Sequence, residues 1–75
     1  MTATLTDRQL EVLRFIVQQI DENGYPPTIR EIGEALTISE HTAANHIRSI
    51  LRKTGAANRT EAAAFAHTNG LLGAG

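Results

Sequence analysis

The sequence predicts an all-α domain of four helices. Three observations lead there. Apolar residues recur at helical spacing in four separate segments. Each segment opens on a Thr, Ser or Asn suited to capping a helix. No segment shows the alternating pattern of a half-buried strand. With 75 residues, the chain is sized for one small domain, which buries only about 60% of the surface its unfolded form exposes. A second domain is not expected.

The first helix opens at LTDRQ, where Thr6 is the cap and Gln9 stands at the capping-box position. Leu10, Leu13, Ile16, Val17 and Ile20 form its apolar stripe, widened by Val12 and Phe15. Asn23-Gly24 ends it, and Tyr25-Pro26-Pro27 reads as a stiff extended link. A second capping box, Thr28 with Glu31, starts a short helix that turns Ile29, Ile32, Gly33 and Leu36 inward. LTIS is a tight connection with Ile38 buried between helices, and Ser39 caps the third helix. Gly55 ends that helix, and Asn58 caps the fourth, with Glu61 three residues on. The expected ranges are about 7–23, 29–36, 40–54 and 59–69. The closing LLGAG reads as a docked leucine pair followed by a frayed end.

Composition narrows the function. Cysteine is absent, so neither a disulfide framework nor a thiolate metal site holds the fold. Only Phe15, Tyr25 and Phe65 are aromatic, which leaves an aliphatic core. The opening MTATLTD lacks the pattern of a signal peptide. No stretch approaches the roughly 20 apolar residues of a membrane span. A soluble, cytoplasmic and nucleoid-associated protein is therefore expected, with no membrane partner. Neither a glycine-rich phosphate loop, a nucleophile with a base, nor histidines and carboxylates at metal-ligand spacing can be read. No enzyme activity, metal, cofactor or small-molecule ligand is expected.

Charge is segregated along the chain. Residues 1–40 hold seven acidic side chains against three arginines, a net of −4, whereas 41–75 hold Arg48, Arg52, Lys53 and Arg59 against Glu61, a net of +3. Such asymmetry points to a polyanion facing the second half; the alternative is an ordinary solvated charged face. In SEHTAANHIRSILRKTG, Ala43, Ile47, Ile50 and Leu51 share one helical face. His41, Asn45, Arg48 and Arg52 share another, with Ala44 beside them. A short helix, a short link and a second helix with a cationic outer face make a helix-turn-helix, whose second helix enters the major groove. Arginine suits guanine, asparagine suits adenine, and a small alanine allows close approach. Ala44, Asn45, Arg48 and His41 are accordingly the candidate base contacts, and Thr28, Thr42, Arg52 and Lys53 the candidate phosphate contacts. His41 and Thr42 have a second reading as first-turn capping residues, and Arg48 and Asn45 as solvated surface. His46 is expected as a packed, hydrogen-bonded core histidine.

These residues resemble a known family. ISEHTAANHIRSILRKTGAANRTEAAAFAHTNGLL is similar to the DNA-binding domain of the LuxR/GerE/NarL family, through Ser39, Thr42, His46, Ile50, Lys53, Asn58, Arg59 and Ala62. Leu5, Thr6, Arg8, Glu11, Val12 and Leu13 match that family's opening. Ala43 stands where it usually has valine and Thr54 where it usually has leucine, which implies a looser core under the third helix. The stretches RQLEVLRFI and QQIDENGYPPTIREIGEAL instead resemble the N-terminal domain of the LexA repressor family, and SEHTAANH aligns with its recognition helix. A LexA domain implies a two-stranded wing after that helix and a further self-cleaving domain. Residues 56–72 read as a helix instead, so the expectation is a LuxR/GerE-type domain without a wing, with a LexA-like helix 1–2 region.

The LuxR-type resemblance implies base contacts at Ala44, Asn45 and Arg48 and phosphate contacts at Thr42 and Lys53. It also implies a homodimer through the fourth helix, on a face made by Glu61, Ala64, Phe65 and Thr68. Phe65 has the alternative of covering the core's edge. The expected function is that of a stand-alone, homodimeric, sequence-specific regulator of transcription on double-stranded DNA, or a fragment of a larger one. The competing reading is a protein-interaction module that contacts RNA polymerase or another regulator.

Overall fold

Each helix begins where a side chain takes over the role of a missing helical partner. At the first, Thr6 Oγ1 accepts from the Gln9 amide and Gln9 Oε1 accepts from the Thr6 amide, both at 3.1 Å. At the second, Thr28 and Glu31 repeat the exchange at 3.1 and 2.8 Å. Reciprocal pairs of this kind satisfy two amides that would otherwise lack acceptors. The computed structural model describes residues 5–70. Its elements are α1 (Asp7–Asn23), α2 (Ile29–Leu36), α3 (Glu40–Thr54) and α4 (Arg59–Thr68), with no strand among the described residues. The leucine pair anticipated in LLGAG lies outside them.

α1 is the hub. It packs against all three other helices, while α2 leans on α1 and α3, and α4 on α1 and α3. The core is aliphatic: Val12, Leu13, Ile16 and Val17 of α1, Ile32 of α2, Ala43, Ile47 and Ile50 of α3, and Ala62, Ala63 and Ala66 of α4. Leu5 closes it at the N-terminal side. The stripe of α1 is centred further round than its largest residues suggest. Val12 and Gln9 are buried, whereas Leu10, Phe15 and Ile20 are half-buried. Leu51 and Ile38, expected inside, are likewise only half-buried. Pro27 is fully buried, so the Tyr25-Pro26-Pro27 link is anchored in the core rather than merely stiff. Ala43 has no exposed surface, which replaces the expected looseness under α3 with close contact. α4 presents only methyl groups to the core. At about 0.8 kcal/mol per buried CH2-sized group, it is held less firmly than α1.

The joint between α2 and α3 is tightly closed. α2 ends in a Schellman motif: the Ile38 amide donates to Gly33 O at 2.9 Å and the Thr37 amide to Glu34 O at 3.4 Å. Thr37 takes the left-handed conformation, φ 56°, which costs a β-branched residue roughly 1–2 kcal/mol. The turn also passes directly over Gly33. A Cβ there would sit 2.8 Å from Ile38 O, closer than packing allows. Ser39 then caps α3, its Oγ accepting from the Thr42 amide at 3.0 Å.

Two substitutions test this joint by urea denaturation. Gly33→Ala is expected to lower stability by about 1–3 kcal/mol, the usual range for overpacking. Thr37→Gly is expected to raise it by up to about 1 kcal/mol, since relief of left-handed strain outweighs the added chain entropy.

Candidate nucleic-acid interface

The turn fixes which side of α3 faces outward. Ala43, Ile47 and Ile50 point into the core, so the opposite face carries His41, Asn45, Arg48 and Arg52, all exposed. From His41 to Arg52 this row runs about 16 Å at 1.5 Å per residue, the length of roughly five base-pair steps. Arg48 Nη1 donates to Asn45 Oδ1 at 2.8 Å, so two of the four side chains form one unit. Glu40 lies in the first turn of α3 and Arg52 and Lys53 in the last. Each complements the helix dipole at its end, worth about 0.3–1 kcal/mol at exposed positions.

The remaining candidates are dispersed. Ala44 is half-buried beside the row. Thr42 is half-buried in the first turn of α3, its amide held by the Ser39 cap and its Oγ1 accepting from Ser39 Oγ at 2.9 Å. Thr28 is exposed as the cap of α2. Lys53 is turned back against α1: its Nζ donates to Gln9 Oε1 at 2.9 Å. His46 departs from expectation. It is half-buried, and no hydrogen bond among the described residues reaches its ring, because its position on α3 lies between the core and the outer face.

On α4, Glu61 Oε1 accepts from the Ala57 amide at 2.9 Å and the Glu61 amide donates to Asn58 Oδ1 at 2.9 Å, which tightens the turn before the helix. Ala64 and Thr68 are exposed and Phe65 is half-buried. With Thr54 and Ala56 they line a shallow groove of about 340 Å³. Thus Glu61, Ala64, Phe65 and Thr68 do share one surface. Arg59, the first residue of α4, holds its Nε buried with no partner among the described residues.

The residue that sequence reading valued too little is Gln9. It appears there only as half of a capping box, yet it is the one buried polar side chain among the described residues and it joins the start of α1 to the end of α3. No local pattern could reveal that pairing, since Lys53 lies 44 residues away. Thr54 is a related case. Its hydroxyl donates to Ile50 O at 2.8 Å and accepts from the Ala56 amide at 3.3 Å, so a polar residue serves where leucine was the familiar choice.

Among the described residues, no group of three His, Cys, Asp or Glu side chains is placed to hold a metal ion. No described helix is long and apolar enough to cross a membrane. A short helix, a turn over residues 37–39 and a second helix with a polar, cationic outer face define a helix-turn-helix protein. The chain belongs to the LexA DNA-binding domain family, whose model matches residues 2–66. It is 66% identical over 50 residues to the LexA repressor of Anaeromyxobacter sp. (strain Fw109-5), covering 65% of this chain and 22% of that protein. Against the LexA repressor of Myxococcus xanthus (strain DK1622) it is 48% identical over 58 residues, 76% of this chain and 26% of that one. For the LexA repressor of Lactiplantibacillus plantarum (strain ATCC BAA-793 / NCIMB 8826 / WCFS1) the figures are 46% over 54 residues, 71% and 26%. The chain spans about a quarter of the length of these curated relatives.

This corrects the LuxR/GerE/NarL assignment, and the structure explains the error. Several of the matching residues do structural work any such domain needs. Thr6, Ser39 and Asn58 are caps, and Val12, Leu13, Ile50 and Ala62 are core. They report helix geometry rather than lineage. The match to the LexA family runs across residues 2–66 and so takes in α1, α2 and α3 together. Where a LexA resemblance implied a two-stranded wing, the described residues form α4.

Gln9→Ala removes the acceptor for both the Thr6 amide and Lys53. Thermal melts monitored by circular dichroism are expected to show a loss of about 1–2 kcal/mol, the sum of a cap and a charge-assisted hydrogen bond after solvent screening.

Proposed function

We propose that this domain binds duplex DNA sequence-specifically, as the DNA-reading module of a transcription regulator, with α3 in the major groove. The observation that carries this reading is the exposed row His41, Asn45, Arg48 and Arg52 directly opposite the buried face of α3. A helix of about 10–12 Å diameter fits a groove about 12 Å wide. His41 and Arg48 then meet base edges, Asn45 lies in the groove bonded to Arg48, and half-buried Ala44 allows the helix to seat closely. Arg52 and Lys53 meet phosphates at one end, and the capped starts of α2 and α3, at Thr28 and Thr42, meet them at the other. For Lys53 this entails leaving or sharing its contact with Gln9. The names of the three relatives, all LexA repressors, support a regulatory role; the proposed site of action is the nucleoid in the cytoplasm, where duplex DNA is met.

The same reading includes a homodimer on a two-fold related DNA site, formed through Glu61, Ala64, Phe65 and Thr68. Its support is the half-buried aromatic in a groove flanked by exposed small residues. The competing partner for the α3 face is a protein such as RNA polymerase, and salt separates the two.

Binding to random-sequence duplex is measured by fluorescence anisotropy between about 50 and 200 mM salt. Two phosphate-neutralising cations per protomer predict a log–log slope near −2 for a monomer and near −4 for a dimer, at about 0.9 per contact. Arg52→Ala should flatten the slope by about 1 per protomer. A wild type that binds no duplex at 50 mM salt would overturn the proposal and direct the search to a protein partner. For the dimer, Ala64→Glu is expected to change the stoichiometry on a palindromic site from two protomers per duplex to one, read by sedimentation velocity. An unchanged ratio excludes α4 as the interface.

A further inference from the structure

The recognition row is not four independent side chains. Arg48 and Asn45 lie one turn apart on the exposed face of α3, and Arg48 Nη1 donates to Asn45 Oδ1 at 2.8 Å. That contact changes what Asn45 can offer a base. Asparagine reads adenine by giving its amide N–H to N7 and taking the N6 amino hydrogen on its carbonyl oxygen. Here that oxygen already faces a guanidinium. The oxygen keeps a second lone pair, but an adenine amino group brought to it would lie beside the N–H donors of Arg48, donor against donor.

What the pair presents outward is mostly donors. The guanidinium has five N–H groups and the amide two, of which this contact occupies one. Among the major-groove edges, only guanine offers two acceptors side by side, N7 and O6. Adenine and thymine each offer one acceptor beside a donor or a methyl, and cytosine offers a donor. Holding the long arginine side chain in place also reduces the rotamer freedom it loses on binding.

Resting on the DNA-binding reading above, we propose that Arg48 and Asn45 act as a single guanine-recognising unit. Arg48 makes the base contact, and Asn45 is a positioning residue that aims it rather than an adenine reader. The pair therefore determines one guanine per recognition helix, and Asn45 determines no base of its own.

The test selects sites from a randomised duplex pool with the wild type, Asn45→Ala, Arg48→Ala and the double variant, then measures affinities on the selected duplex. Wild type is expected to enrich guanine at one position. Arg48→Ala should abolish that preference, a change of about ten- to a hundredfold. Asn45→Ala should weaken preference at the same position, and the double variant should be no worse than Arg48→Ala. Asn45→Asp keeps an acceptor for Arg48 and should retain guanine there despite weaker overall binding. Replacing that guanine by 7-deazaguanine should mimic the loss. Adenine enriched at a separate position and lost only in Asn45→Ala would overturn the inference while leaving DNA binding intact. So would an Asn45→Ala variant with unchanged preference. A wild type that binds no duplex overturns the DNA reading itself and the inference with it.

Discussion

Everything that α3 can do depends on how closely the α2–α3 turn crosses Gly33. The chain must reverse within residues 37–39, and it does so by laying the carbonyl of Ile38 where a side chain at position 33 would otherwise be. Three consequences follow from that approach. The Ile38 amide reaches Gly33 O and closes the end of α2. Thr37 is forced into a left-handed conformation that its branched side chain disfavours. Ser39 arrives in position to cap α3. Strain at Thr37 is offset by hydrogen bonds on both sides of it. With the start of α3 set in this way, Ala43, Ile47 and Ile50 fall on the core, and the polar face has only one direction left.

The far end of α3 is held by different means. Burial alone would leave its last turn loosely attached, since Leu51 is only half-buried. The Lys53–Gln9 hydrogen bond ties it to the first turn of α1, and the Thr54 hydroxyl bridges Ile50 O and the Ala56 amide. Gln9 is also the return half of the α1 capping box. One buried amide side chain thus joins two helix ends, and removing it disturbs both. A helix clamped at each end presents its side chains with little play, which is what the proposed reading of base edges by α3 requires.

The same economy explains why family resemblance was ambiguous. Helix caps and small core residues are set by geometry, and different helix-turn-helix lineages converge on them. Ser39, Asn58 and Ala62 would be sensible choices in any of them. The chain's membership of the LexA DNA-binding domain family rests on a match across residues 2–66, which takes in the whole helix-turn-helix. Its fourth helix, built on alanines against α1, occupies the stretch where strands were implied. Alanine's high helix propensity and Asn58's cap favour that outcome locally.

By itself the sequence determined the four helices and their caps, because spacing, capping residues and terminal glycines act within a few positions of one another. It also determined the outward row on α3, since helical periodicity places His41, Asn45, Arg48 and Arg52 opposite the apolar residues whatever the fold. Tertiary structure alone decided the rest. That Gln9 would be buried and take Lys53, that Pro27 would sit in the core, and that His46 would have no hydrogen bond within the described chain all depend on which helices meet. So does the need for glycine at position 33, which arises from a carbonyl five residues further on passing within 2.8 Å of where its Cβ would lie. Local pattern carries information along one helix, whereas contact between helices depends on the three-dimensional path that closes the core.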